Sequence, residues 1–384
     1  MARDYSGAQS RRTSALRLLC AIVNGQHREV PFEERPMLVE LARAHRVDHL
    51  LAWRLHKYEA DVRSWLGAAD QLLQEVRDQS VVDSIRNEEA ARVIAGLAGV
   101  DGAMPVLFKG AALAHSHYPE SWLRPRLDTD VLLSPASVRD AFEVLRSLGY
   151  RQAIATSGEL VSYQASFERP DRFGVTHHFD VHWRVANWQV VADVLSHEEI
   201  AARAIPLPAL GPSARAACAS DALVLACIHR AAHHRDSEEL LWIYDIHLIA
   251  GRLSGPQWTI ALASAERGSV KALCARGLAL AIDRFGTPIP VEVMRHLDRW
   301  QRAAVREPSS VYLSKNFRLV DGLLSDLRSL HVRAGVRLLA EHLFPPAEYM
   351  RKRYGVRSRR SILFAYARRM VAGLPKWLAS GGQT

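Results

Sequence analysis

Cysteine is scarce: Cys20, Cys218, Cys227 and Cys274 are the only four in 384 residues, and no two form a C-x-x-C pair. That excludes a disulfide framework and a cysteine-based zinc knuckle, and leaves four reduced, buried small hydrophobes. Long apolar runs are also missing. No stretch stays uncharged long enough to span a bilayer, and the opening MARDYSGAQSRR lacks the apolar run of a secretory leader, so cytoplasmic residence is expected. There is no Walker loop, dinucleotide fingerprint, G-x-S-x-G elbow or helix-turn-helix pattern with clear spacing. Low-complexity tracts and short repeats are absent too. The remaining composition, 48% hydrophobic and 24% charged, is that of a globular chain long enough for two or three packed units.

Negative charge runs out before the chain does. No acidic residue follows Glu348, while nine basic residues lie between Arg351 and Lys376, equal to the whole formal excess of +9. Residues 1–350 are therefore close to neutral. Such a tail suits phosphate-rich partners such as RNA, or an anionic membrane surface, or the solvated face of a terminal helix. If it docks as a helix, Ile362, Leu363, Tyr366 and Met370 have the spacing of a buried stripe.

Apolar residues recur at helical spacing from Leu38 to Leu55, through Val62, Leu66, Leu73 and Val76, and on to Leu97. Gly99 and Gly102 interrupt them. Met104 to Phe108 is a short apolar run entering the turn Lys109-Gly110, and Ala111 to Tyr118 predicts a short helix. A second strand is expected over Leu127 to Leu133. Ser134-Pro135 then opens a helix that Gly149 closes. A hairpin is predicted from Val161 to Glu168 and Gly174 to Val185, turning at Pro170-Asp171. From Ser213 to about Leu343 the pattern is helical. The expected organisation is an N-terminal helical region (1–100), a compact α/β core (101–205), a helical domain (206–345) and a basic segment (346–384).

The strongest chemical signal is Arg126-Leu127-Asp128-Thr129-Asp130-Val131-Leu132-Leu133. Residues two apart on a strand share a face, with Cα atoms about 6.6–6.8 Å apart, so Asp128 and Asp130 can converge on one or two hard cations. Arg126 shares that face, where it could meet phosphate oxygens, while Leu127, Val131 and Leu133 can face the core. Two carboxylates beside an apolar strand require neutralisation, and Mg2+ is the natural ion. About fifty residues later comes His178-Phe179-Asp180-Val181-His182-Trp183, in which Phe179, Val181 and Trp183 alternate with His178, Asp180 and His182. Three carboxylates on neighbouring strands suit two-metal phosphoryl transfer. A lone D-x-D can equally close a surface turn. The strand–Gly–helix unit before it and the third aspartate after it weigh against that reading.

Taken together, Leu107-Phe108-Lys109-Gly110-Ala111-Ala112-Leu113, Arg126 to Leu132, Leu148-Gly149-Tyr150 and His178 to Trp183 resemble the bacterial uncharacterised nucleotidyltransferase family. Ile228-His229-Arg230-Ala231-Ala232-His233, Leu241 to Ile246, Leu343-Phe344-Pro345-Pro346 and Tyr349 to Tyr354 extend the resemblance over roughly residues 35–370. It implies an α+β fold: a polymerase-β-like nucleotidyltransferase core with a small mixed sheet, flanked by N- and C-terminal helical regions. It also implies metal-binding aspartates at Asp128, Asp130 and Asp180, Mg2+ or Mn2+ as cofactor, and NTP as substrate. The acceptor would be a small molecule or a peptide, as in natural-product biosynthesis. The wider superfamily opens its first helix with Gly-Ser; here Lys109-Gly110-Ala111 stands instead. Gly110 would admit a phosphate to the helix N-terminus, and Lys109 would replace the hydroxyl with a point charge.

Several residues carry two readings. His229 and His233, four apart, could be a zinc-like pair, a roof over nucleotide or acceptor, or a polar network between helices. His234 is expected to face elsewhere. Asp245 could be a general base for the acceptor or a buried partner of an arginine. His178 and His182 could orient Asp180 or its metal, or be exposed strand residues. Trp65, Trp122, Trp183, Trp188 and Trp242 read as core residues. At the level of the whole protein, the alternatives to a transferase of small or peptidic acceptors are a catalytically degenerate binding protein and an RNA-modifying, toxin-type enzyme.

Overall fold

The computed structural model describes residues 2–58, 68–153, 158–303, 307–356 and 358–378; Val62, Trp65, Leu66 and Arg357 lie outside the described residues. Four helices come first: α1 (Ala2–Val23), α2 (Arg35–Ala44), α3 (Asp48–Tyr58) and α4 (Ala68–Ala98). The core follows as β1 (Val106–Leu107), α5 (Lys109–Ser116), β2 (Asp128–Leu132), α6 (Val138–Ser147), β3 (Arg151–Gln152), β4 (Gln164–Pro170) and β5 (Thr176–His182). Next come α7 (Gln189–Ala192), α8 (His197–Arg203), β6 (Ile205–Pro206) and β7 (Arg215–Ala216). The remainder is helical: α9 (Ala219–Ile228), α10 (Leu240–Ala250), α11 (Gly255–Arg267), α12 (Lys271–Phe285), α13 (Val291–Ala303), α14 (Leu319–Ser329), α15 (Val332–Leu343), α16 (Ala347–Tyr354) and α17 (Arg359–Leu378).

The seven strands form one mixed sheet in the order β3-β4-β5-β2-β1-β7-β6. β2 runs parallel to β5 and antiparallel to β1, and β4 and β5 form the expected hairpin. Its turn is fixed by the Asp171 carboxylate, which accepts from the backbone N–H groups of Phe173 and Val175 at 2.8 and 2.9 Å. The resulting α+β architecture, a mixed sheet among many helices, fits a nucleotidyltransferase-like core.

Side-chain alternation divides the sheet's neighbours. Leu107, Val131, Leu133, Phe179 and Val181 pack with Ala90, Val93, Ile94 and Leu97 of α4 and Ala141 and Leu145 of α6. Val106, Phe108 and Leu132 join a larger cluster running from Ala15 of α1 through α9, α10 and α12 to Phe317. The period of two then puts Asp128 and Asp130 on the Leu132 face, towards the C-terminal helices.

Three expectations are corrected. β2 starts at Asp128, and Leu127, outside the pleat, is 70% exposed and does not face the core. The stretch after Ser213 is not wholly helical, because β7 lies in it and pairs with β1 through one residue pair, too short a strand to leave a periodic signature. Among the described side chains of α17, Ile362 and Ala365 are buried, packed on Met350 of α16, with Tyr366 half-buried; Leu363 and Met370 are exposed, turned away from that contact.

Candidate active site

β2 and β5 pair so that Asp130 stands opposite Asp180, Asp128 opposite His178 and Leu132 opposite His182. Ligand atoms of Asp130, Asp180 and His182 all lie within 4.8 Å of one another. Asp130 and His182 are buried and Asp180 is half-buried. Asp128, the first residue of β2, is outside that group and open to solvent. The protein crowded around its carboxyl, then the charges of Asp130 and Asp180, push its pKa up to about 6. Solvent at the strand end screens part of that repulsion.

Lys109 comes from the end of β1, the strand beside β2. It follows the extended Phe108 and has φ +56, a left-handed conformation that costs an L-residue about 1–2 kcal/mol. The chain turns there so that Lys109 Nζ donates to Asp130 Oδ1 at 2.7 Å. His182 Nε2 meets the same oxygen at 2.9 Å, and Lys109 Nζ lies 3.5 Å from that nitrogen. Burial alone would raise the Asp130 pKa, but Lys109 and His182 outweigh it and hold the carboxylate ionised, well below its usual range. Burial, then the Lys109 charge, depresses the His182 pKa, leaving a neutral ring whose buried Nδ1 has no partner among the described residues. Asp128 and Asp180 form no ion pair among the described residues, so three carboxylates face one bonded cation. Hard oxygens, an imidazole and an uncompensated negative charge are a donor set that fits a divalent metal.

Two residues expected to handle phosphate are otherwise engaged. Arg126 is buried, pairs with Asp83 of α4 at 3.0 Å and donates to Asn87. It turns away from the carboxylates because β2 has not yet begun, although its Nη1 is left without a partner. At Gly110, a Cβ would come within 2.7 Å of Arg124 Nη1, so the glycine makes room for that guanidinium.

Residues 33–286 match the family described as uncharacterised nucleotidyltransferase. The chain belongs to that family. No curated protein matches the chain. The match includes the carboxylates, Lys109 and both histidine-bearing segments, whereas the motifs at Leu343 to Pro346 and Tyr349 to Tyr354 lie beyond its end.

In this member of the family Asp245 is paired. Arg124 donates to its two oxygens at 2.9 and 2.7 Å, and Tyr118 OH donates at 2.8 Å, all buried. Both oxygens accept from Arg124, and Oδ1 accepts from Tyr118 as well. His229 to His233 form a π-helical turn after α9, with the His229 and His233 rings 5.4 Å apart. His234 does not face elsewhere, since the wider turn carries it round. Its Nε2 lies 3.3 Å from His229 Nε2, and its ring stacks on Trp242 at 4.4 Å. Burial first, and the nearby Lys109 charge after it, pushes His233 down to about 3 and His229 well below the ordinary value. These neutral rings lie near Lys109, and among the described residues they do not join a three-ligand metal cluster. Lys109, Arg124, His229, Trp242 and Asp245 also line a cavity of about 20 Å³, room for a single water. Sequence reasoning missed Arg124, Tyr118, Asp83 and Gln164, which donates to Asp180 Oδ2 at 3.3 Å. Their only signal was polar residues among apolar ones, which does not name a partner.

Proposed function

We propose that the chain transfers a nucleoside monophosphate from an NTP to a hydroxyl or phosphate of a small-molecule or peptide acceptor, with Asp128, Asp130 and Asp180 holding Mg2+ or Mn2+. The observation that carries this is the register of Asp130 against Asp180 on parallel strands, with His182 in the same 4.8 Å group. A divalent ion there would supply stabilisation of phosphate charge. The chain's own residues do the rest. Lys109 and His182 keep Asp130 ionised and fixed in orientation. The acceptor oxygen bonds to the α-phosphorus as the bond to pyrophosphate breaks, and Asp180, half-buried and steadied by Gln164, accepts the proton.

Calorimetry with NTP, with and without Mg2+, tests this. Asp128→Asn and Asp130→Asn should each abolish Mg2+-dependent binding while the fold is retained; unchanged binding in both would sink the assignment. A second reading, a nucleotide-binding protein without turnover, draws on the Lys109–Asp130 bond and the missing superfamily serine. Pyrophosphate release during incubation with acceptors separates the two.

A further inference from the structure

Among the described residues eighteen large hydrophobics are exposed, and ten of them fall between Leu324 and Val371. On α15, Val332, Val336, Leu339 and Leu343 recur at i, i+4, i+7 and i+11, forming one unbroken stripe open to solvent. On α17, Leu363, Phe364 and Val371 are 70%, 73% and 78% exposed. They lie on the side opposite Ile362 and Ala365, which pack on Met350. A helix docked by one face ordinarily turns polar residues outward; here the outward centre is apolar. The two helices meet: the Phe344 ring lies 6.0 Å from Tyr366, and Arg369 donates to the His342 carbonyl.

Charge names the occupant. Arg351, Arg353, Arg360 and Arg368 are exposed and lack carboxylate partners among the described residues; of this group's neighbours, Lys352 alone pairs, with Glu348 at 3.7 Å. No acidic residue follows Glu348. A second copy docking here by a two-fold axis would bring the unpaired arginines of α16 and α17 against their own copies. RNA would use the arginines and leave Phe364 and Val371 wet. An anionic bilayer surface satisfies both at once, taking the aliphatic and aromatic side chains below the headgroups and the arginines among them. No described helix is long and apolar enough to cross the membrane, so the contact is interfacial. We propose that the outward faces of α15 and α17 form a docking surface for a bilayer rich in anionic lipid.

The test is flotation of the full chain with phosphatidylcholine vesicles and with phosphatidylcholine–phosphatidylserine vesicles at low and high salt, beside Phe364→Ser/Val371→Ser and Arg360→Gln/Arg368→Gln. All four positions are exposed, so both variants should melt with the parent protein. Binding should require phosphatidylserine and weaken with salt. The serine variant should lose about tenfold or more, and each neutralised arginine about fivefold. Failure to bind the anionic vesicles overturns the proposal. So does binding equal in parent and serine variant, or a solution dimer that the serine variant dissociates. RNA binding at the same salt that the serine variant leaves intact, without vesicle binding, would assign the surface to RNA.

Discussion

Asp245 separates residues that hold the site from residues that act in it. Its carboxylate is buried against Arg124 and Tyr118, and removing one member of such a pair leaves an uncompensated charge. Arg124→Met should lower stability by about 3–5 kcal/mol, measured by denaturant unfolding, and Asp245→Leu in the same chain should recover much of that loss. If Asp245 were instead a general base, Asp245→Asn would lower turnover with melting unchanged. Gly110 belongs to the same arrangement, since any side chain there would displace Arg124. Lys109 differs, because its left-handed backbone and its bond to Asp130 place strain at the point where charge is handled.

Among elements, the edge of the sheet is fastened to α4 by Glu89. Tyr150 OH, Arg92 and Arg169 reach its carboxylate at 2.6, 2.7 and 2.7 Å. Burial would raise its pKa, but these donors, Arg92 foremost, outweigh it and hold the group at about 2 against an ordinary 4.5. A depressed carboxyl stabilises the fold above its unfolded pKa, and that contribution is lost as pH falls from about 4.5 through about 2. Acid titration of Glu89→Gln should therefore show a shallower loss of stability over that window than the parent chain. Gly149, at φ +87, closes α6, and Gly149→Ala should cost about 1–2 kcal/mol for forcing a Cβ into the left-handed region. The β4–β5 hairpin, α6 and the D-x-D strand were legible in the sequence because each carries a period and a turn residue. β6 and β7 have two residues each and show no period. The partners of Arg126 and Asp245 were hidden because an isolated polar residue in an apolar run does not say which distant residue it will meet. The π-helical turn hid His234 in the same way, as one added residue rotates everything after it.

Across the whole molecule, the larger apolar cluster draws on α1, on β1 and α5, and on residues as late as Tyr312 and Phe317. α16 and α17 instead share a small cluster of their own around Met350. α17 also packs on α14, so deletion of residues 346–384 should lower the melting temperature by less than loss of the larger cluster would, and should weaken vesicle binding, since the stripe on α15 remains. The family match, at 33–286, cuts the larger cluster at both ends: it omits Leu19, Cys20, Ile22 and Val23 on one side and Val293, Leu297, Trp300 and Tyr312 on the other. The matched segment is therefore smaller than the apolar cluster it belongs to, and a fragment trimmed to those borders should expose apolar surface and aggregate even though it contains every candidate site residue.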